Sequence, residues 1–568
     1  MNLHSAKNSV RGGYALLIVL FFTGVSVLLL SAALQWTSNQ ARQVERSNYY
    51  LGNGSAAEAA VEKVLGTIGR DFQSNGETYV YSNLTTYQGL VPTAAESSVW
   101  TNYEFSDAQG NLNKSYVTRL SNWSYGDLQT KYSGTKGYSA TYRVVSDART
   151  LATNYSTVTS GLKQDVQLAA IPIFGFGVFY GVDLEISPGS DLALGGRVHC
   201  NGSMYLQPQG NLNFASHATA TQKILLSKSP NDPTSRTFGK VNYSGLHDDG
   251  VKSLNLPFAT NNTSTLLHKI IEMPPAGEAI TSLTGQQRYY NNCDMMILVS
   301  NATVVSTSGS YNNFSVSIPW SKINNFLNTN KTFYNMREAK TVQCTDFDVN
   351  QFNGQYAYLT GVLGRSPKCI YIADLRTQSG TTEPGVRLSN GQTLSTNGMT
   401  IATLNPLYVQ GHFNAPSAAL GTTNTANTAP AALIADAITF LSGSWSDNQG
   451  GANLNARTAA NTTFNTAIIA GIVQSGNGYY SGGVENFMRL LEDWSSKTLT
   501  FNGSMVGLYA SQQATAPWGA SATVYNTPIR RFGFDSNFLT STKLPYLTPQ
   551  VRSVIRGQWA VIAPNSTQ

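Results

Sequence analysis

The chain has 568 residues and a formal net charge of +6, with 12% charged and 41% apolar residues. That balance excludes a disordered chain and one wholly embedded in a membrane, and the length exceeds one ordinary compact core unless that core is elongated. No Lys/Arg-rich run occurs, so no nucleic-acid partner is expected from charge.

The charge that is missing is replaced by Asn, Ser, Thr, Gly and Tyr, with 50 Gly and 29 Tyr. Such a surface favours strands and turns over helices faced with Glu and Lys. The four cysteines, Cys200, Cys293, Cys344 and Cys369, are scattered and form no CxxC pair. They fit disulfides outside the cytoplasm and buried small side chains equally well.

The first element is Tyr14 to Leu34, an uncharged run in which thirteen residues are Leu, Ile, Val or Phe. As a helix it spans roughly 30 Å, a bilayer's hydrocarbon thickness. Those side chains favour insertion by roughly 4 to 8 kcal/mol. Lys7 and Arg11 come before it, which keeps the N-terminus cytoplasmic and sends the bulk across. Three readings fit: a secretory signal cut near Ser31-Ala32-Ala33, an uncleaved anchor, or a packing helix freed from its leader at Gly13.

Downstream, Ala56, Ala57, Ala60, Val61, Val64, Leu65 and Ile68 recur at spacings of three and four, an amphipathic stripe. Gly52-Asn53-Gly54 is expected to loosen or kink the helix between its halves. From residue 73 to 170 short strands alternate with polar loops: YVYSNL, TYRVVSDA and VTSGLKQDVQL read as strands.

Between Gly181 and Phe214 apolar pairs two residues apart are separated by Pro-Gly, Gly-Gly, Asn-Gly and Gln-Gly. Strands this brief bury no face alone, so stacked rungs of a β-helix are expected over 171–222. The texture returns over 381–568 in NPLYVQGHFN, AALIADAITFLSGSW, NTAIIAGIVQSGNG and KTLTFNGSMVGLYAS, spaced by about 25 to 35 residues. Val484, Phe487, Leu490, Leu491 and Trp494 share one helical side, predicting a covering helix over 484–494. The stretch 223–380 reads as an inserted α/β subdomain, with strands in CDMMILVSNATVVSTSG and KCIYIADLR and short helices in HKIIEMP and IPWSKINNFLN.

The motifs that carry chemistry are missing: there is no HExxH, GxSxG or GxxxxGK[ST]. His199-Cys200 with His217 fits no standard zinc spacing and reads as packing. Asp346, Asp348 and Asn350 open like a calcium loop, but Gln351 and Ala357 stand where Gly and Glu are needed. Asp248-Asp249 reads as a solvated turn. Glu492 and Asp493 are adjacent and point apart, against a paired-carboxylate site. A β-helix polysaccharide enzyme would need clustered charge on its rungs, and the quoted rungs hold almost none. No enzyme, cofactor or metal is therefore expected.

Gly13-Tyr14 at the head of the apolar run, after a leader with Lys7 and Arg11, resembles a type IV prepilin leader, or class III signal peptide. AAEAAVEKVL (Ala56–Leu65) resembles the AFQAAEAAL signature of PilX-type minor pilins. The resemblance covers about 70 residues. It implies a leader 1–13 cut between Gly13 and Tyr14 by a prepilin peptidase, a transmembrane and pilin-like helix 14–72, and a small α+β region 73–170. Most pilins carry Glu at the fifth mature position, where this chain has Ile18; PilX-type minor pilins and K-type tip pseudopilins often lack it.

The expectation is a mainly β protein: a pilin-like transmembrane helix followed by an elongated β-solenoid head with an inserted α/β subdomain. Its implied role is a tip or priming subunit of a type IV pilus or type II secretion pseudopilus. Its partners would be other pilin subunits through the helix, the inner membrane, the prepilin peptidase, and a glycan or surface ligand of the head. Its location would be the bacterial inner membrane, N-terminus cytoplasmic, then the cell surface or a fibre. The alternative is a secreted or anchored β-helix adhesin outside any fibre.

Overall fold

The computed structural model describes residues 12–129, 132–151, 154–258, 262–476, 478–518 and 524–567. It is a long N-terminal helix followed by a large β-rich body with several sheets. The chain divides into two compact units: Met1–Asn122, Ala140–Gln167 and Val554–Gln568, and Trp123–Ser139 with Leu168–Ser553.

In the first unit, helix α1 (Gly12–Asn75) is unbroken across Gly52-Asn53-Gly54. The expected break is absent, and neither glycine is needed for space, since a Cβ at either position meets only ordinary contacts. A Cβ on Gly52 would lie 3.7 Å from the Tyr103 hydroxyl, and one on Gly54 would lie 3.4 Å from Ser160 Oγ. Asn53 between them is fully buried and donates from Nδ2 to the Val158 carbonyl at 2.7 Å. The predicted stripe is the helix's buried face: Ala56, Ala57, Ala60, Val61, Val64, Leu65 and Ile68 are all 5% exposed or less.

YVYSNL is not a strand. It lies in helix α2 (Glu77–Ser82) and the start of helix α3 (Leu84–Gln88). The alternation misleads because the buried pair is Glu77 and Val80, spaced by three. Glu77 is held by the Tyr142 hydroxyl at 2.6 Å and Arg119 at 3.3 Å. Strands β1 (Tyr103–Ser106) and β2 (Tyr116–Arg119) follow, both antiparallel to the long strand of Lys136–Thr150. Before it comes β3 (Ser124–Asp127); the long strand itself is β4, and β5 is Thr159–Pro172.

The second unit, to which β3 also belongs, continues with β6 (Phe176–Tyr180), then β7 (Leu184–Ile186), β8 (Leu192–Leu194), β9 (Arg197–Cys200), β10 (Met204–Leu206), β11 (Asn211–Phe214) and β12 (Ala218–Ala220). β13 (Ile224–Leu225), β14 (Lys240–Tyr243) and β15 (His247–Asp248) complete the series. Every third strand pairs in parallel. Leu184 lies opposite Met204, Leu192 opposite Leu212, and Val198 opposite Ala218, each 20 residues on. The next step stays at 20 for Met204–Ile224 and rises to 29 for Leu212–Val241 and Ala218–His247, so nine extra residues fall between β13 and β14. Like residues stack along the ladders. Asn242 Nδ2 donates to Asn213 Oδ1 at 2.8 Å, and Phe214 and Tyr243 stack at 5.1 Å.

Helices α4 (Ser264–His268) and α5 (Tyr289–Asn292) lead to β16 (Met295–Val299) and β17 (Val304–Ser308). Helix α6 (Trp320–Ile323), β18 (Leu327–Asn335), β19 (Lys340–Asp348) and helix α7 (Val349–Leu363) follow. The chain then alternates between two sheets: β20 (Cys369–Asp374), β21 (Thr382–Ser389), β22 (Met399–Ala402), β23 (Leu407–Gln410), β24 (Ala431–Ala435), β25 (Ile438–Leu441), β26 (Thr462–Ile472), β27 (Arg489–Leu490) and β28 (Thr498–Ala510). Cys369, Thr400, Ala432, Ala467 and Ser504 are parallel neighbours in turn, at steps of 31, 32, 35 and 37. Short strands need this stacking: the inner faces are apolar and the corners carry Asn. Asn465 Nδ2 donates to the Asn414 carbonyl, and Asn502 Nδ2 to Asn465 Oδ1.

β28 also pairs with β6, Met505 opposite Val178, and with β29 (Ile529–Phe534). That joins both ladder systems in one 12-stranded sheet. Among its described residues the stretch 223–380, expected as an insert, forms no sheet of its own. It supplies β13–β15 to the first ladders, β16, β17 and β20 to the 12-stranded sheet, and β18 and β19 to the six-stranded one. The helix expected over 484–494 is also corrected: Val484–Asn486 is a 3-10 turn and Arg489–Leu490 is strand β27. All its residues but Asp493 are buried, and a run buried almost all round carries no usable period. The final strand, β30 (Gln550–Ile562), ends in the first unit, where the sheet order is β1-β4-β5-β30.

Candidate functional site

The most unusual surface is on α1. Tyr14 to Leu34 is unburied throughout, apart from partial cover at Val25, and its other large apolar side chains stand 53% to 74% exposed. A helix apolar on every side and bare to solvent has one stable setting, a hydrocarbon layer or other apolar helices. It is the one described helix long and apolar enough to cross a membrane. The expected processing site opens this surface. Gly13 lies in the first turn of α1, Tyr14 is 74% exposed, and Ile18 is 53% exposed on the same bare section. The rest of the expected leader, residues 1–11, lies outside the described residues.

The other singled-out residues have local partners. His199 is buried, with Nδ1 2.9 Å from Thr219 Oγ1 and Nε2 3.1 Å from Asn201 Oδ1; burial holds its pKa near 4. Cys200 Sγ donates to the Gly202 carbonyl, and all four cysteines are free and buried. Burial pushes the Cys200 and Cys293 thiols up to about 12, so neither is a thiolate at neutral pH. Asp346 accepts from Arg387 Nε at 2.8 Å. Asp348 caps α7, accepting from Gln351 N at 2.9 Å, and also takes Asn390 Nδ2. Asp249 pairs with Lys223. Glu492 is buried and accepts from Ser442 N and Oγ at 2.6 Å each; burial raises its pKa to about 7. Asp493 accepts from Ser495 N instead, so the two carboxylates do not converge. Among the described residues no group of three or more His, Cys, Asp or Glu is placed to hold a metal ion.

Sequence reasoning missed a set of buried charges in the second unit. Glu185 accepts from Ser475 Oγ at 2.7 Å, and Glu485 accepts from the Tyr480 hydroxyl and Ser187 N. Burial raises both carboxyl pKa values. Arg489 Nη1 donates to Glu338 Oε1 at 2.6 Å, and Glu338 Oε2 accepts from Ala516 N. The cavity beside these groups, lined by Arg337, Asn486 and Arg489, holds about 10 Å³, room for one water and no substrate. One signal was present: Arg489 stands inside the apolar run Phe487–Leu491, and such a charge is buried with its partner or not at all.

The first unit holds a larger hollow of about 580 Å³ against α1. Gly52, Asn53 and Thr150 line it on the buried side, and Tyr49, Asn102 and Tyr103 border it. None of its described lining residues is charged. Tyr49 stacks on Tyr155 at 4.7 Å, and Tyr155 donates its hydroxyl to Glu45 at 2.7 Å, which fixes the ring.

Fold and surface together define a class: a long N-terminal helix whose first third is bare and apolar, followed by a large β-rich body. No family model matches the sequence, and no curated protein matches it. Among solved structures, the competence-associated pilin ComZ from Thermus thermophilus aligns with 90% of this chain and 98% of its own, at 8% identity and a TM-score of 0.29. At that score the likeness decides neither fold nor function.

Proposed function

We propose that the chain is a non-enzymatic, pilin-like structural subunit, held in the inner membrane by Tyr14–Leu34 before entering a type IV pilus or type II secretion pseudopilus. The observation that carries this reading is the continuity of α1. One helix passes without a break from a section apolar all round to a section with a single buried stripe, so the membrane or fibre rod and the body's scaffold are one rigid element. Cleavage by a prepilin peptidase between Gly13 and Tyr14 would leave the apolar section at the new N-terminus. Ile18 offers no carboxylate to a neighbour's amine, which supports a tip or priming position over a bulk one. The parallel ladders and Asn-stacked corners of the second unit support a β-solenoid head that displays a glycan- or partner-binding surface.

The test is mass spectrometry with N-terminal sequencing of the mature chain. A start at Tyr14 supports the pilin reading. A start near Leu34 would replace it with a secreted adhesin, and an intact Met1 in cells with an active prepilin peptidase would remove it.

A further inference from the structure

From the hollow against α1 we infer a binding site for a neutral saccharide, a proposal that goes beyond the fibre reading and holds with or without it. Three observations converge. The volume of about 580 Å³ falls within the range of small-molecule sites, roughly 300–1,000 Å³. The lining supplies amides, hydroxyls and aromatic rings and no charge, which selects against ionic ligands and for hydroxyl groups alternating with C–H faces.

The third observation is Asn53. Its Nδ2 is committed to the Val158 carbonyl, which orients the amide, and its buried Oδ1 accepts nothing. A buried acceptor left empty costs about 1–3 kcal/mol, so a ligand hydroxyl donating there recovers a loss already built into the fold. Asn102 is exposed at the rim, and its carbonyl takes Leu151 N, so its backbone is fixed while its side-chain amide remains at the opening. Tyr49, braced by Tyr155, presents a ring to the C–H face of a pyranose. Charged sugars fit poorly, because a carboxylate would lose its hydration with no cation among the lining residues.

Saturation-transfer NMR on the full chain in phospholipid nanodiscs tests this, with galactose, N-acetylglucosamine, glucose and maltose as probes and galacturonate as the charged control. Asn53→Leu removes the acceptor but also breaks the Val158 bond, so it risks the fold. Gly52→Gln is the decisive variant. A Cβ there meets only ordinary contact at 3.7 Å, and Gln favours helix over Gly, so the side chain fills the hollow while α1 is kept. The expected result is transfer to at least one neutral sugar, with affinity falling tenfold or more in Gly52→Gln and in Asn102→Ala at an unchanged unfolding midpoint. No transfer to any neutral probe, equal affinity in Gly52→Gln, or tighter binding of galacturonate would each overturn the site.

Discussion

The two ends of α1 are both rich in apolar residues, yet Tyr14–Leu34 lies bare and Ala56–Ile68 is buried on one side. The difference is arrangement. The first run has no polar face and so cannot be satisfied by a single sheet. The second has small and branched residues on one side, which lets β1 and β5 come close, and Glu58 and Glu62 on the side that faces water. One continuous helix therefore meets two solvents, and the boundary is set by pattern, not by hydrophobic content.

Substitutions can break this comparison. The largest effect is expected from Val64→Asp, which puts an unpartnered charge on the buried stripe. The first unit should lose about 4 kcal/mol or more, read as loss of its cooperative unfolding transition by circular dichroism. Leu29→Asp adds the same group to the bare section. It should cost insertion roughly 3 kcal/mol, seen as release from the membrane fraction, while the unfolding midpoint of the soluble-facing body stays put.

The units should also separate by pH. Burial raises the Asp147 carboxyl to about 6, with Asp107 adding to the rise. The folded state then binds the proton more tightly than the unfolded one. The stability this gives the first unit is complete below about pH 3.8 and lost as pH rises toward 6. Asp147→Asn should flatten that slope. In the second unit His268 sits between Glu272 at 2.6 Å and Asp436 at 3.2 Å, with Arg288 3.9 Å from Glu272 and the Tyr509 ring edge-on. Hydrogen bonds to the two carboxylates outweigh desolvation and raise its pKa. Its contribution is full below pH 6.5 and lost as pH rises through the folded value, so His268→Gln should remove a slope in a higher window. Thermal melts across pH 3.5 to 9 check both.

The smallest effect belongs to Glu62→Gln. Arg556 pairs with Glu62 at 2.5 Å, but both side chains are about half exposed, so the cost should stay under about 1 kcal/mol by urea denaturation.

The sequence made the helix, its stripe and the strand pairs two residues apart readable, because each rests on local spacing. YVYSNL and Val484–Trp494 were unreadable for the same reason: their neighbours, Tyr142 and Arg119 in one case and a fully enclosing core in the other, are remote in sequence. The break between 223–380 and its flanks failed because a change of texture marks where loops lengthen, as in the step from 20 to 29, not where a sheet ends. The Asn53 hollow had no local signal beyond glycines on both sides of a polar residue in a helix.

The last strand has a consequence for the order of events during biosynthesis. Gln164 reaches the Gly557 and Gln558 carbonyls, Asn565 N donates to Asp147, and the Thr567 carbonyl takes Arg143. The domain that contains most of the earliest-made residues is thus sealed by some of the latest. While the ribosome is still adding the hundreds of residues in between, its central sheet waits with one position vacant, and a chain stopped short of Val554 would leave that seam open for good.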